Sequence, residues 1–298
     1  MAIPSTYPSS RLVPVAALAL LSAACTTGSR DVVRRPVPAR PGVQLEQADT
    51  AESDFRYHPA SGGSYSYHRL DSIEYRLPTG SQTEVHGRTV FLNVALQPLD
   101  STYRVELRLD SIRQDPGTTY QPALDSLGLV QWSGEMGPTG GLGGFLVSPA
   151  SPFGERLSAE LARRFFPAQP LGGVRPDMEW TDSAQISVAG LSVIQSDRVE
   201  SHSRASALST DEPPSLRIET ESHLERQGSS TQTGEVIEET GRGLDSTTSY
   251  IDVWGRFLGS EGKETFDLLF SVPAVGQKVA VRQLSHYRIL RLPDPETD

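Results

Sequence analysis

The stretch Tyr103-Arg104-Val105-Glu106-Leu107-Arg108-Leu109-Asp110 alternates apolar and charged side chains without interruption. Successive side chains of a β-strand point to opposite faces of its sheet, so the pattern predicts a strand with one buried face and one solvated face. Strands of this kind are typical of antiparallel sheets, which can leave one face in water. The stretch therefore predicts an antiparallel β fold.

The same period of two recurs on both sides of this stretch. Tight turns such as Pro78-Thr79-Gly80-Ser81 separate the runs, and strands joined by tight turns pair as neighbours. A sheet of this size coils instead of staying flat. The sequence therefore predicts a mainly β domain over residues 63–292, built as a large curved antiparallel meander of about ten strands that forms a half-open barrel.

One segment breaks the strand pattern and has the period of a helix. Phe153, Leu157, Leu161 and Phe165 recur every four residues, which places them in one stripe of a cylinder. The sequence predicts a single inserted amphipathic helix at about residues 152–166. Its stripe must pack on apolar surface, either as the wall of a hydrophobic cavity or as part of a filled core.

The first 24 residues have the order of a secretory signal. Arg11 precedes an apolar run of about ten residues, which is too short for the roughly twenty that a helix needs to cross a bilayer. Small residues follow, and the end of the stretch, through Ala24-Cys25, resembles the lipobox of bacterial lipoproteins. The resemblance implies a signal peptide at 1–24 and a lipid anchor on Cys25, the only cysteine. An ordinary cleaved signal followed by a cysteine is the alternative.

The residues that follow the signal have little to bury. Residues 25–62 are rich in proline, arginine and acidic residues, which predicts a disordered spacer, and residues 293–298 are predicted to form a tail. The formal net charge of −10 argues against nucleic acid as a partner. The expected partner is a membrane, reached through the lipid on Cys25, and a protein partner is left open.

The predicted architecture resembles that of the LolA/LolB and LppX type of envelope protein, in which a curved sheet and a helix shelter lipid or acyl chains. That resemblance implies a bacterial cell-envelope location and an apolar ligand held by the helix stripe and two tryptophans. The candidate ligand-binding residues are Phe153, Leu157, Leu161, Phe165, Trp180 and Trp254.

The sequence shows no motif of a catalytic or metal site. The six histidines are scattered, no His-Glu-x-x-His pair occurs, and no Gly-x-Ser-x-Gly elbow is present. We therefore expect a protein that is not an enzyme and needs no cofactor or metal. Two functions stay open: binding of a hydrophobic ligand or lipid, and a structural role in which the domain docks on another envelope component.

Overall fold

The structure is a computed structural model of the 298-residue chain. It describes residues 32–36, 55, 57, 62–118, 130–149, 152–190, 193–206, 215–232, 235–252 and 254–293. The predicted signal peptide, Cys25 and residues 294–298 lie outside the described residues, as does most of the predicted spacer.

The described residues contain twelve β-strands, one α-helix and a short 3-10 turn at Pro273–Val275. The strands are β1 (Val32–Pro36), β2 (Gly63–Leu77), β3 (Gly80–Pro98), β4 (Tyr103–Gln114), β5 (Gln131–Gly137), β6 (Gly140–Ser148), β7 (Glu179–Ala189), β8 (Val193–Ala205), β9 (Ser215–Gln232), β10 (Glu235–Asp252), β11 (Phe257–Val272) and β12 (Gln277–Arg291). The helix α1 is Pro152–Arg164.

Eleven of these strands form one curled antiparallel sheet. Within the group β2 to β6, each strand pairs with its neighbour in sequence, and the same holds within the group β7 to β12; the pairing of β2 with β12 joins the two groups. The sequence predicted about ten strands in such a curved meander with one inserted helix, and this fold class is confirmed. The helix falls between β6 and β7, close to the bounds that its period predicted.

The two edges of this sheet are β6 and β7, and the short strand β1 pairs with both, which closes the sheet into a barrel. Strand β1 lies within the predicted spacer, and so do Phe55 and Tyr57, which are both buried. Phe55 forms a β-bridge with Val174, and the Tyr57 ring packs edge-on against Phe166. Here the structure differs from the predicted disorder, because isolated aromatic residues in polar sequence give no periodic signal.

The barrel has two distinguishable ends. We call the end with the β2–β3 turn at Pro78-Thr79 and the β11–β12 turn at Pro273–Gly276 the upper end, and the end with the β3–β4 turn at 99–102 the lower end. Helix α1 starts in the upper half and runs down inside the barrel. Phe165, which follows the helix, packs against Tyr65 and Phe257 at the lower end.

The inward-facing residues of one strand show how the interior is divided. Along β2, Tyr65 and Tyr67 lie in a large apolar core at the lower end. Arg69 and Asp71 come next on the same face and are also buried. Ile73 and Tyr75 follow and pack against a smaller apolar cluster at the upper end. The interior therefore has a layer of charged groups between two apolar regions.

Candidate functional site

A cavity of about 350 Å³ lies in the upper half of the barrel, between helix α1 and the strands. It extends toward the upper rim, because Tyr75 and Phe270 line it and each is two residues from the upper end of its strand. Its volume is at the lower end of the roughly 300–1,000 Å³ that small-molecule pockets have. The space is large enough for a slender ligand and is too small for a bulky one.

One wall of the cavity is apolar and comes from three adjacent strands. Strand β2 contributes Ile73 and Tyr75, β12 contributes Val281, and β11 contributes Leu268 and Phe270. Alternate residues of a strand share a face, so these strands present an unbroken apolar surface to the interior. Such a wall can hold a hydrocarbon chain because burying each methylene contributes about 0.8 kcal/mol.

The rest of the lining is largely charged and comes from the helix and from the same and neighbouring strands. Its ionisable side chains are Arg69, Asp71, Glu84, His86, Arg88, Arg156, Glu160, Arg163, Arg226 and Glu239. A cavity lined partly by apolar and partly by charged side chains is suited to a ligand with a hydrocarbon part and a polar part. It is not suited to a wholly apolar ligand, which would leave buried charges without solvent.

Glu160 of helix α1 is the carboxylate at the centre of this charged lining. It accepts hydrogen bonds from Arg88 Nη2 at 3.1 and 3.2 Å and from the Tyr67 hydroxyl at 3.1 Å. Arg69 Nη1 also lies 3.5 Å from Glu160 Oε2. Burial alone would raise the pKa of Glu160, but Arg69 and Arg88 outweigh burial and lower it from 4.5 to about 2.

The pKa of Glu160 predicts how stability depends on pH. The folded pKa is below the unfolded value, so this carboxylate stabilises the fold above pH 4.5 and loses that effect as the pH falls from 4.5 toward 2. At about 1.4 kcal/mol per pKa unit, the loss is on the order of 3 kcal/mol. Thermal unfolding followed by circular dichroism between pH 6 and 2 measures it. The variant Glu160→Gln should show a flatter decline, and an equally steep one would contradict the assignment.

A second buried carboxylate, Glu264 of β11, lies directly beneath the cavity. Arg163 Nη1 donates to Glu264 Oε2 at 2.7 Å, Arg164 Nη2 donates to the same oxygen at 2.9 Å, and Arg69 Nη2 lies 3.4 Å from Oε1. The Glu264 side chain is only 2% exposed. Burial opposes its charge, but Arg163 and Arg164 outweigh burial and hold the pKa of Glu264 well below its ordinary value. This cluster fixes the end of the helix to the strand.

A third ion pair lies deep in the barrel beside the cavity. Arg226 of β9 makes two hydrogen bonds to the carboxylate of Asp197 of β8, at 2.8 and 2.9 Å, and its guanidinium lies 4.6 Å from the centre of the Phe266 ring. Arg226 Nη1 also lies 3.4 Å from Glu239. Burial opposes the charge of Asp197, but Arg226 outweighs burial and lowers the pKa of Asp197. These charges are mutually compensated.

Arg156 differs from the other arginines of the charged lining. Burial is the main influence on its pKa and lowers it, Glu239 opposes burial, Arg88 lowers the pKa further, and Glu160 and Glu155 raise it. Arg156 lies one turn from the start of the helix and lines the cavity.

The structure places the six candidate ligand-binding residues in three different settings. Phe153 and Leu157 line the cavity. Leu161 and Phe165 are buried in the lower core, and Trp180 packs against that core. Trp254 lies in the β10–β11 turn at the lower end, 59% exposed, with the Arg256 guanidinium over its ring.

The main groups that the sequence analysis missed are Tyr75, Phe270 and Arg156. Tyr75 and Phe270 have the inward parity of their strands, which the alternation predicts. Their place in the upper half depends on pairing between distant strands, which alternation alone does not give. Arg156 lies off the apolar stripe of the helix and therefore resembles an ordinary solvated residue.

The described residues contain no group of three or more His, Cys, Asp or Glu side chains placed to hold a metal ion. Within the same residues, no helix combines the length and the apolar character needed to span a membrane.

No family model and no curated protein matches the chain. Among solved structures, it is similar to Neisserial surface protein A, with a TM-score of 0.20 and 9% identity over 77% of this chain and 97% of the other. It is also similar to a mutant of the Rhodopseudomonas blastica porin, with a TM-score of 0.23 and 9% identity over 77% and 100%. The Pseudomonas aeruginosa protein OccK2 gives a TM-score of 0.24 and 8% identity over 80% and 100%. Likenesses at TM-scores this low carry no argument about function, which must be argued from the cavity.

Proposed function

We propose that this chain is a lipid-anchored protein of the bacterial cell envelope that holds a single-chain amphiphile in the upper half of its barrel and performs no catalysis. One observation supports the ligand class: the 350 Å³ cavity combines an apolar surface from β2, β11 and β12 with a charged remainder of the lining that includes arginines of the helix. The hydrocarbon chain packs on Ile73, Tyr75, Leu268, Phe270 and Val281. The polar end lies among the charged side chains of the lining, of which Arg156 is one.

The outward faces of the strands support a domain that stands in water and is attached to a membrane by its anchor. On β9 the outward residues are Arg217, Glu219, Glu221, His223 and Glu225, all exposed. An arginine or lysine on the lipid face of a membrane-spanning barrel costs about 2–4 kcal/mol at the bilayer midplane. Strands with this charged exterior face water and not lipid, so in this proposal the lipid anchor attaches the domain to the membrane.

The anchor is tested by the variant Cys25→Ser. The full chain should move from the membrane fraction to the soluble fraction, because the thioether to the lipid cannot form. Fractionation and incorporation of labelled palmitate measure the change, and Thr27→Ser serves as a control that keeps the cysteine. Cys25→Ser protein that stays with membranes would contradict the anchor.

The ligand is tested by titrating cis-parinaric acid, a slender fatty acid that is itself fluorescent, into the full-length Cys25→Ser chain, which needs no competing detergent. We expect a saturable increase in its fluorescence at one site, reversed by palmitate, because both compete for the same apolar surface. Fluorescence that does not saturate, or that palmitate does not reverse, would contradict the ligand proposal. If no such binding site is found, the alternative function, in which the domain docks on another envelope component, is favoured.

A further inference from the structure

The strands that supply the apolar part of the cavity have a fixed order of polarity along their length. On β2, Asp71 lies deepest, and Ile73 and Tyr75 follow it toward the upper rim. On β12, Gln283 lies deeper than Val281. Alternate residues of a strand share a face, so on both strands the polar group lies toward the interior of the barrel and the apolar groups lie toward the rim.

The pairing of the strands aligns these residues in rows across the sheet. Tyr75 lies opposite Val281, which in turn lies opposite Leu268 of β11. Four residues deeper on β2, Asp71 lies opposite Ser285. At about 3.3 Å per residue, the polar row lies about 13 Å below the apolar row along the strand.

The polar row closes the cavity on its deep side. Arg69 Nε donates to Asp71 Oδ1 at 2.8 Å. Gln283 Nε2 donates to the same oxygen at 3.1 Å and to Ser285 Oγ at 3.2 Å. The next inward residue below Arg69 is Tyr67, which is fully buried in the lower core. The end of a hydrocarbon chain that reached this row would therefore lie against buried polar groups instead of apolar surface, which is unfavourable.

The side of the cavity toward the rim is less enclosed. Ile73, Tyr75 and Phe270 are only partly buried, whereas Asp71 is buried. Covering apolar surface that water can still reach is favourable. A hydrocarbon chain on these three residues gains the most from burial, and its free end points to the opening.

Two carboxylates also lie toward the rim, on the strands that flank the apolar surface. Glu84 of β3 is opposite Ile73, and Glu239 of β10 is opposite Phe270. Glu84 lies 3.3 Å from His86, and Glu239 lies 3.4 Å from Arg226. These groups border the apolar surface on its two sides and do not interrupt it.

We propose that the amphiphile binds with its polar end toward the polar row and the methyl end of its chain toward the upper rim. This inference rests on the ligand class of the proposed function and adds which end of the ligand the site selects. The polar end is enclosed, whereas the methyl end has room at the opening. The site therefore takes amphiphiles with a small polar group, excludes bulk beside that group, and tolerates bulk at the methyl end.

Two isomers that differ only in the position of one phenyl ring test this orientation. In 12-phenyldodecanoic acid the ring is on the methyl end, and in 2-phenyldodecanoic acid it is beside the carboxylate. Each isomer, with dodecanoic acid as the reference, displaces cis-parinaric acid from the full-length Cys25→Ser chain. We expect the 12-phenyl isomer to match dodecanoic acid within about threefold and the 2-phenyl isomer to bind at least about tenfold more weakly, because bulk forced into an enclosed site is disfavoured.

The isomers have the same composition and the same charge, so a difference between them reports the position of the ring. Equal displacement by the two isomers, including none by either, or stronger displacement by the 2-phenyl isomer would overturn the orientation. The ligand class would still stand in that case, because cis-parinaric acid and dodecanoic acid would bind. If cis-parinaric acid itself did not bind, the proposed function and the orientation would both be overturned.

Discussion

The variant Glu264→Gln should lower the free energy of unfolding by about 3–5 kcal/mol, as is typical when one member of a buried ion cluster is removed. Glu264 is buried and bonded to Arg163 and Arg164, and it lies within 3.4 Å of Arg69. Without its charge, these guanidinium groups remain in the interior with fewer anions to balance them. The effect should be seen in urea denaturation followed by circular dichroism.

The matched control is Glu261→Gln, three residues away on the same strand. Glu261 pairs with Arg288 at 3.8 Å, but both side chains are more than half exposed. Exposed pairs of this kind contribute about 0–1 kcal/mol, so the control should lose little stability. If the two variants lost similar amounts, the charged layer would not be holding the helix inside the barrel.

The second large effect is expected from Val281→Trp, which fills the cavity from its apolar wall. Val281 is buried and lines the cavity. An indole takes the place of about three ligand methylenes, each contributing about 0.8 kcal/mol, so the affinity for cis-parinaric acid should fall on the order of 50-fold. The measurement is the same fluorescence titration, carried out on the Cys25→Ser background.

The control for this variant is Ala280→Trp, one residue earlier on β12. Ala280 is exposed and faces outward, so a tryptophan at this position adds the same bulk on the outer side of the sheet. The Ala280→Trp variant should bind the fatty acid with the same affinity as the Cys25→Ser parent. Equal affinities for the inward and outward variants would show that the ligand lies somewhere other than the cavity.

The fold class could be predicted from the sequence because strand alternation is a local property. In Tyr103–Asp110, the odd residues are apolar and the even residues are charged, and the structure places Val105, Leu107 and Leu109 in the core. The helix could be predicted for the same reason, since Phe153, Leu157 and Leu161 repeat within a few turns. Both elements follow from the spacing of neighbours and need no knowledge of distant contacts.

The charged layer could not be predicted, because its members come from distant parts of the chain. Arg163 and Arg164 lie at the end of α1, where the sequence favours basic residues that interact with the helix dipole in solvent. In the structure they are buried against Glu264, about a hundred residues later in the chain. Arg69 and Asp71 share the inward parity of β2, but polarity alone suggests a turn or an exposed face. Only the pairing of β2 with β12, and of β12 with β11, brings these charges together.

The same reason explains why the candidate ligand-binding set was only partly brought together. Phe153 and Leu157 line the cavity, whereas Leu161 and Phe165 fill the lower core below the charged layer. One apolar stripe of the helix therefore contacts both the cavity and the lower core, and its periodicity does not show where the cavity ends and the core begins. Trp254, the sixth candidate, lies outside the interior in the β10–β11 turn.

The central claim is that the upper cavity holds a single-chain amphiphile, and the most direct test is the content of the protein as the cell makes it. The full-length lipidated chain is purified, extracted with organic solvent without breaking the thioether, and the extract is analysed by mass spectrometry. The account predicts about one single-chain amphiphile, such as a fatty acid or lysolipid, per chain, and clearly less from Val281→Trp than from Ala280→Trp. An extract without such a compound, or equal amounts from the two variants, would contradict the account.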